Sequence, residues 1–263
     1  MPLSARIRTQ PVSIAVPTDV PVVVDLTALR ALTGGTTIPD AVVSDANAGG
    51  VFVWRSTAAA DNGGTRFNAG GVGSSSAGWE RIYSGPIQAE WFGARGDCLE
   101  GTATTTASSA VVTMVSGSLT SADAGKTFAV DYAGASGKSL VGTIVSVSGS
   151  SVTLDTAATS NQTAKPCRWG TNNADNLQRW LKAQHGTITG LYPYSQFEAR
   201  LRGGGSYLVH RTGNRACMDM TGGSKLIADN HASLVAAGDD DIIINCAASS
   251  NEIRGFQFKY GKH

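Results

Sequence analysis

Gly205-Ser-Tyr-Leu-Val209, Ser224-Lys-Leu-Ile-Ala228, Ala232-Ser-Leu-Val-Ala236, Asp241-Ile-Ile-Ile-Asn-Cys246 and Glu252-Ile-Arg-Gly-Phe-Gln-Phe258 are five short β-branched or apolar runs, each closed by Gly, Asn or Asp. No helical spacing separates them, and none is long enough to bury a face by itself. Such a series predicts the coils of a parallel β-helix, in which the inward side chains of each turn pack against the next. Turns of about 20 to 25 residues fit two or three coils into residues 203–263. The outermost coil, around Phe256-Gln-Phe-Lys-Tyr260, would then present unpaired backbone and apolar side chains, so a partner chain or a continuation is expected to cover it.

Upstream, Asn172-Asn-Ala-Asp-Asn-Leu-Gln-Arg-Trp-Leu-Lys-Ala183 sets Leu177, Trp180 and Leu181 at i, i+3 and i+4. That spacing predicts a helix with one buried stripe, capped by Asn172 or Asn173 and plugging an open hydrophobic end. Residues 102–163 differ in composition, being rich in Ser, Thr, Ala, Val and Gly. Strands are predicted at 110–115, 127–132, 140–147 and 151–154, a small β-sandwich or barrel inserted into a loop, with Cys98 and Cys167 at its stems and expected to meet in space. Residues 87–101 and 164–202 form the neck with its capping helix.

Residues 1–86 read as a small β module. Val20–Leu26 is strand-like, Leu26-Thr-Ala-Leu-Arg-Ala-Leu32 has the spacing of one or two helical turns, and Gly34-Gly35 ends it. Gly50–Ser56 and Thr65–Asn68, separated by Asp61-Asn-Gly-Gly64, predict a hairpin; Ala69–Gly78 has the composition of flexible coil, and Trp79–Tyr83 resumes alternation. The fold class is therefore all-β with one or two short helices.

Composition narrows the function classes. Lys plus Arg number 21 against 20 Asp plus Glu, which leaves no electrostatic footprint for nucleic acid. No run approaches the roughly 20 apolar residues of a membrane span, and Val20–Val24 is short and broken by Pro21, so no export signal is read. Synthesis in the cytoplasm is expected. Cys98, Cys167, Cys217 and Cys246 lie too far apart for a metal-binding pair and read as buried thiols. His185, His210, His231 and His263 show no ligand spacing. Asp239-Asp240-Asp241 reads as a solvated turn, the rival reading being metal ligands or an acid/base pair. Asp97 and Asp175 read as capping and turn residues, Gly203-Gly-Gly205 as a turn and not a phosphate loop, and Tyr192, Tyr194 and Phe197 as packing against the helix, with sugar stacking as the alternative. No catalytic, cofactor-binding or metal-binding residue is assigned.

Glu90-Trp-Phe-Gly-Ala-Arg-Gly-Asp97, followed after the insert by Thr171-Asn-Asn-Ala-Asp-Asn-Leu-Gln-Arg-Trp-Leu181, resembles the segment that leads into the β-helix of pectate-lyase-like bacteriophage tailspikes. Gly203-Gly-Gly-Ser-Tyr-Leu-Val209 is similar to that family's first strand, and Leu29-Arg-Ala-Leu-Thr33, Asp61-Asn-Gly-Gly64 and Trp79-Glu-Arg-Ile-Tyr-Ser-Gly85 to the module that often precedes it. The chain departs at Cys98, where relatives carry Gly, and splits the motif with about 70 residues. The resemblance implies a right-handed coil, a homotrimer, and a virion protein whose residues 1–86 hold a phage tail, adaptor or baseplate protein. It also implies a second spike or a host surface polysaccharide as a further partner. The structural anchor is the first reading. The alternative is the N-terminal part of a polysaccharide depolymerase, lyase or glycoside hydrolase, with its active site beyond residue 263.

Overall fold

The computed structural model describes residues 20–186, 198–201, 204–211, 216–220, 225–239, 241–246 and 252–260. Tyr192, Tyr194, Phe197, Gly203, Asp240 and His263 lie outside the described residues, as does the side chain of His185. The described chain is mostly β, with two α-helices.

Helix α1 (Leu26–Ala31) begins where the Asp25 carboxylate accepts a hydrogen bond from the Ala28 N–H. It ends at Leu32, whose backbone is extended, two residues before the expected glycine stop. The helix lies on a five-stranded sheet made of β1 (Val22–Val23), β2 (Asp40–Val43), β3 (Gly50–Ala60), β4 (Arg66–Phe67) and β5 (Ser75–Ile82), in the order β1-β2-β3-β5-β4. Leu29, Ala41, Val43, Phe52, Phe67 and Trp79 form its core. The hairpin partner of β3 is β5 and not the expected 65–68 run, which lies outside β5. The Gly/Ser-rich 69–78 stretch is tied down: Asn68 Nδ2 donates to the Ser74 carbonyl, Gly70 N–H donates to Asn68 Oδ1, and β5 begins at Ser75. These local side-chain bonds override the flexible composition.

A closed antiparallel barrel follows, with strands β6 (Leu99–Thr105), β7 (Val111–Ser116), β8 (Thr127–Val130), β9 (Leu140–Ser148), β10 (Ser151–Leu154) and β11 (Gln162–Gly170) in the order β10-β7-β6-β11-β8-β9. The four expected strands are present. The two that close the barrel, β6 and β11, were not expected, so boundaries at 102 and 163 fall inside them. Phe128, Ile144, Val152 and Trp169 fill the interior, with Phe128 stacked on Trp169.

Beyond the barrel come helix α2 (Ala174–Gly186) and eight short strands: β12 (Glu198–Leu201), β13 (Ser206–Val209), β14 (Ala216–Met220), β15 (Lys225–Ala228), β16 (Ser233–Ala236), β17 (Ile242–Cys246), β18 (Glu252–Arg254) and β19 (Gln257–Lys259). They form three small parallel sheets, β12-β15-β18, β13-β16-β19 and β14-β17, which the chain visits in turn. Lys225 lies opposite Glu198 and Glu252 opposite Lys225, 27 residues on in each case, while Gln257 follows Ser233 by 24. The repeat thus runs slightly longer than expected. Gly255, at φ +76°, turns β18 into β19 with so little room that a Cβ there would lie 2.2 Å from the Ala228 carbonyl oxygen.

Tyr207, Leu226, Leu234 and Ile243 share one core with Leu177, Trp180 and Leu181 of α2, so the expected helical stripe is buried as read. Trp180 Nε1 donates to the Ile87 carbonyl. Ahead of the helix, Asn172 Oδ1 accepts from Ala174 N–H, and the Asn173 carbonyl accepts from Leu177 N–H. The Asn173 side chain works elsewhere: Oδ1 accepts from Arg95 N–H at 2.7 Å, and Nδ2 lies within hydrogen-bonding distance of the carbonyls of Arg95, Thr171 and Leu208. Replacing Asn173 with Ala would strand buried backbone groups, and Asn173→Ala is expected to lower the unfolding free energy by about 2–4 kcal/mol in urea titrations. A loss below about 0.5 kcal/mol would show that the neck does not depend on this side chain.

Candidate docking surface

Strand alternation gives the N-terminal sheet two faces. Val23, Ala41, Val43 and Phe52 face the core, and the residues between them face water. Pairing places Val22 opposite Val42, Val42 opposite Val51, and Val51 opposite Ile82, so four apolar side chains form one row across the outer face. Val22, Val51 and Ile82 are 68%, 45% and 56% exposed. The row crosses four strands, about 14 Å at the usual strand spacing. The next row is Asp40, Val53, Glu80 and Arg66, in which Glu80 pairs with Arg66 and, from the strand's exposed flank, with Arg55. An apolar stripe edged by charges has the chemistry of a contact surface.

The surface is rigidly backed. Arg81, on the core side, is buried between the rings of Phe52 and Trp91 and donates to the carbonyls of Ala48, Gly49 and Gly64. Burial lowers its guanidinium to about 10. Because Trp91 belongs to the 3₁₀ turn Ala89–Phe92, this stack joins the sheet to the neck. Asp61 acts likewise inside the module, accepting from Arg30, Gly63 N–H and Asn68 N–H.

The described residues weighed for chemistry lie elsewhere; His210 and Asp241 meet, and the others are held by separate structural partners. Asp241 is buried, not solvated as expected: its carboxylate meets His210 Nδ1 at 3.0 Å and accepts from Arg211 N–H and Gly238 N–H, closing the turn before β17. Asp239 instead binds Ser139 of the barrel. Asp97 accepts from Thr171 and pairs with Lys126, and Asp175, in the first turn of α2, pairs with Arg211. His231 is exposed with a left-handed backbone. Gly205 packs against Gly96 at the neck. Among the described residues no three His, Cys, Asp or Glu side chains gather as a metal site, and no helix is long and apolar enough to cross a membrane.

Cys98 and Cys167 do not meet. On the paired strands Cys167 lies opposite Gly101, three residues from Cys98 and therefore on the other face, about 10 Å along the strand. Cys167 lies in the barrel interior and Cys98 in a separate cluster with Ala129, Leu208 and Val235.

The outer row was missed in the sequence because Val51 and Ile82 belong to correctly read strands, and only the register reveals that they line up on the wet face. No family model matches the chain, and no curated protein matches it.

Burial pushes the thiols of Cys98, Cys167 and Cys217 up to about 12, whereas Cys246, expected to be buried with them, is exposed at the end of β17. Iodoacetamide at pH 8 is expected to modify Cys246 alone in the folded chain and all four thiols in denaturant, read by mass. Since folding raises the three buried thiols from the ordinary 9.0, stability is intact below that pH and falls as pH climbs toward 12. Modification of two or more thiols in the native chain would contradict the packing.

Proposed function

We propose that this chain is the virion-proximal part of a bacteriophage tailspike, a homotrimeric structural protein that attaches a receptor-binding spike to the phage tail for host adsorption. The three parallel sheets are, on this reading, the first coils of a right-handed parallel β-helix, and α2 is the cap on their near end. The observation that carries the reading is the meeting of the two halves of the tailspike-like motif. Asp97 ends the first half and accepts hydrogen bonds from Thr171, which begins the second, and Cys98 N–H and Asn173 N–H both donate to carbonyls of β13. A motif interrupted by about 70 residues in sequence is continuous in space.

Residues 1–86 form the tail-binding module, and its outer row of Val22, Val42, Val51 and Ile82 is the face offered to a tail, adaptor or baseplate protein. The outer edges of β18 and β19, which have no strand partner among the described residues, favour a second reading. Further coils stacked there would make the chain the N-terminal part of a polysaccharide depolymerase, with catalysis beyond residue 263.

Native mass spectrometry is expected to find three copies of the chain, and a lone copy at micromolar concentration would count against the spike. Val51→Lys combined with Ile82→Glu, both on the wet face and opposite in charge across the strand pair, should change stability by no more than about 1 kcal/mol. The same pair should leave the three-copy mass intact and abolish incorporation into phage particles. Normal incorporation would move the docking site elsewhere.

A further inference from the structure

A cleft of about 800 Å³ lies between the N-terminal module and α2. The module lines it with Asp61, Thr65, Glu80 and Tyr83, and the helix with Arg179 and Lys182, three residues apart and therefore on one side of α2. Both carboxylates are engaged. The two oxygens of Asp61 hold Arg30 and the N–H groups of Gly63 and Asn68. Glu80 pairs with Arg55 at 2.7 Å and faces Arg66 at 3.9 Å. Arg179 and Lys182 form no ion pair among the described residues. Arg30, Arg55, Arg66, Arg179 and Lys182 thus stand around Asp61 and Glu80 alone, a local surplus of positive charge in a chain whose net charge is +1.

Donors remain open as well. Lys182 is exposed and makes no hydrogen bond among the described residues. Arg179 spends only Nη2, on the Phe92 carbonyl and Asn176 Oδ1, and its Nε is buried without a partner. A guanidinium so incompletely matched, with no ion-pair partner, gains from an anion that enters the cleft. Tyr83, 38% exposed with its ring edge-on against Trp91, adds a hydroxyl that has no hydrogen-bond partner among the described residues. Burial, and then the Glu80 charge, push its phenol above the ordinary range, so it stays a donor.

The loop backbone offers nothing to a phosphate. Every N–H from Asp61 to Arg66 is already engaged, by carbonyls of Ser74 and Arg66 or by the side chains of Asp61 and Asn62, so no amide cradle is left. Recognition falls to side-chain cations and a hydroxyl, which suit carboxylates. The cleft also adjoins the outer row, because Glu80 and Ile82 lie on the same face of β5 and Tyr83 follows directly. We propose that the cleft receives an acidic segment, rich in Asp or Glu, of the same protein partner that lies on the row from Val22 to Ile82. That occupant rests on the docking reading of the row; the preference for carboxylates rests on the cleft itself.

The test uses the full chain and labelled hexaglutamate, with hexaglutamine and pyrophosphate as comparisons, read by fluorescence anisotropy and competition. Hexaglutamate is expected to bind more tightly than either comparison and to weaken as salt rises. Lys182→Glu, at an exposed position with no partner to lose, should weaken it about tenfold or more at an unchanged melting temperature, and Lys165→Glu, the same charge change on the barrel, by less than about twofold. No binding, equal binding of hexaglutamine, tighter binding of pyrophosphate, or equal losses in the two variants would each overturn the proposal. Incorporation into phage particles separates it from the reading beneath it. Lys182→Glu should impair incorporation, as should Val51→Lys with Ile82→Glu. Normal incorporation of Lys182→Glu alone would overturn the acidic occupant and leave the row in place, whereas normal incorporation of the row pair would remove the docking reading and the occupant with it, hexaglutamate binding then standing as a property of the cleft.

Discussion

The carboxamide of Asn173 ties together the segments that meet at the neck. Its oxygen takes the Arg95 N–H, and its nitrogen reaches the carbonyls of Arg95 and Leu208, so the outgoing neck, the returning neck and strand β13 meet on one side chain. Around it the backbone completes the seam: Asp97 bridges to Ser206, and Cys98 N–H and Asn173 N–H donate to the Ser206 and Leu208 carbonyls. Two neck segments that flank the barrel in sequence and leave it side by side from β6 and β11 thus cover the near edge of β13, which would otherwise offer open pairing groups. Gly96 and Gly205 let the strands approach, with any added Cβ about 3 Å from the facing backbone. Once the ends are held this way, inserting a barrel costs little loop entropy.

The barrel does more than hang from that seam. Arg168, fully buried on the outside of β11, donates to the Ala236 and Ala237 carbonyls and pairs with Asp131, while its guanidinium lies over the Tyr260 ring. Leu208 and Val235 on the parallel sheet pack with Cys98 and Ala129, and Lys259 pairs with Glu100. One flank of the β13-β16-β19 sheet is therefore covered by the chain's own insert. The β12-β15-β18 sheet differs, with Lys225 paired to Glu252 and Arg200 to Asp229 on its exposed side. The insert leaves a polar flank of the parallel strands open and closes an apolar one.

Much of this was legible in the residues. The apolar spacing of Leu177, Trp180 and Leu181 identified α2 and its buried side, because helical period and burial are local consequences of one another. Strands β13, β15, β16 and β17 announced themselves by β-branched runs between turn residues. Strands β12 and β14 did not, since Glu-Ala-Arg-Leu and Ala-Cys-Met-Asp-Met have no β signature and become strands through pairing with β15 and β17. The barrel's closing strands were hidden for the same reason: β6, Leu-Glu-Gly-Thr-Ala-Thr-Thr, has no Val or Ile, and β11 contains Pro166. The candidate surface was harder still. The Val22 to Ile82 row depends on register between strands distant in sequence.

The central claim is that the strands after residue 198 stack in parallel, one turn apart, and engineered disulfides test it most directly. Lys225 faces Glu252 across β15 and β18, at the roughly 4.8 Å spacing of neighbouring strands, which falls within the Cα range a disulfide spans. Lys225→Cys with Glu252→Cys is expected to cross-link readily under mild oxidation, and Lys225→Cys with Arg254→Cys to remain reduced. An antiparallel sandwich would bring Lys225 opposite Arg254, so the reverse outcome would contradict the stacked arrangement and the tailspike reading built on it.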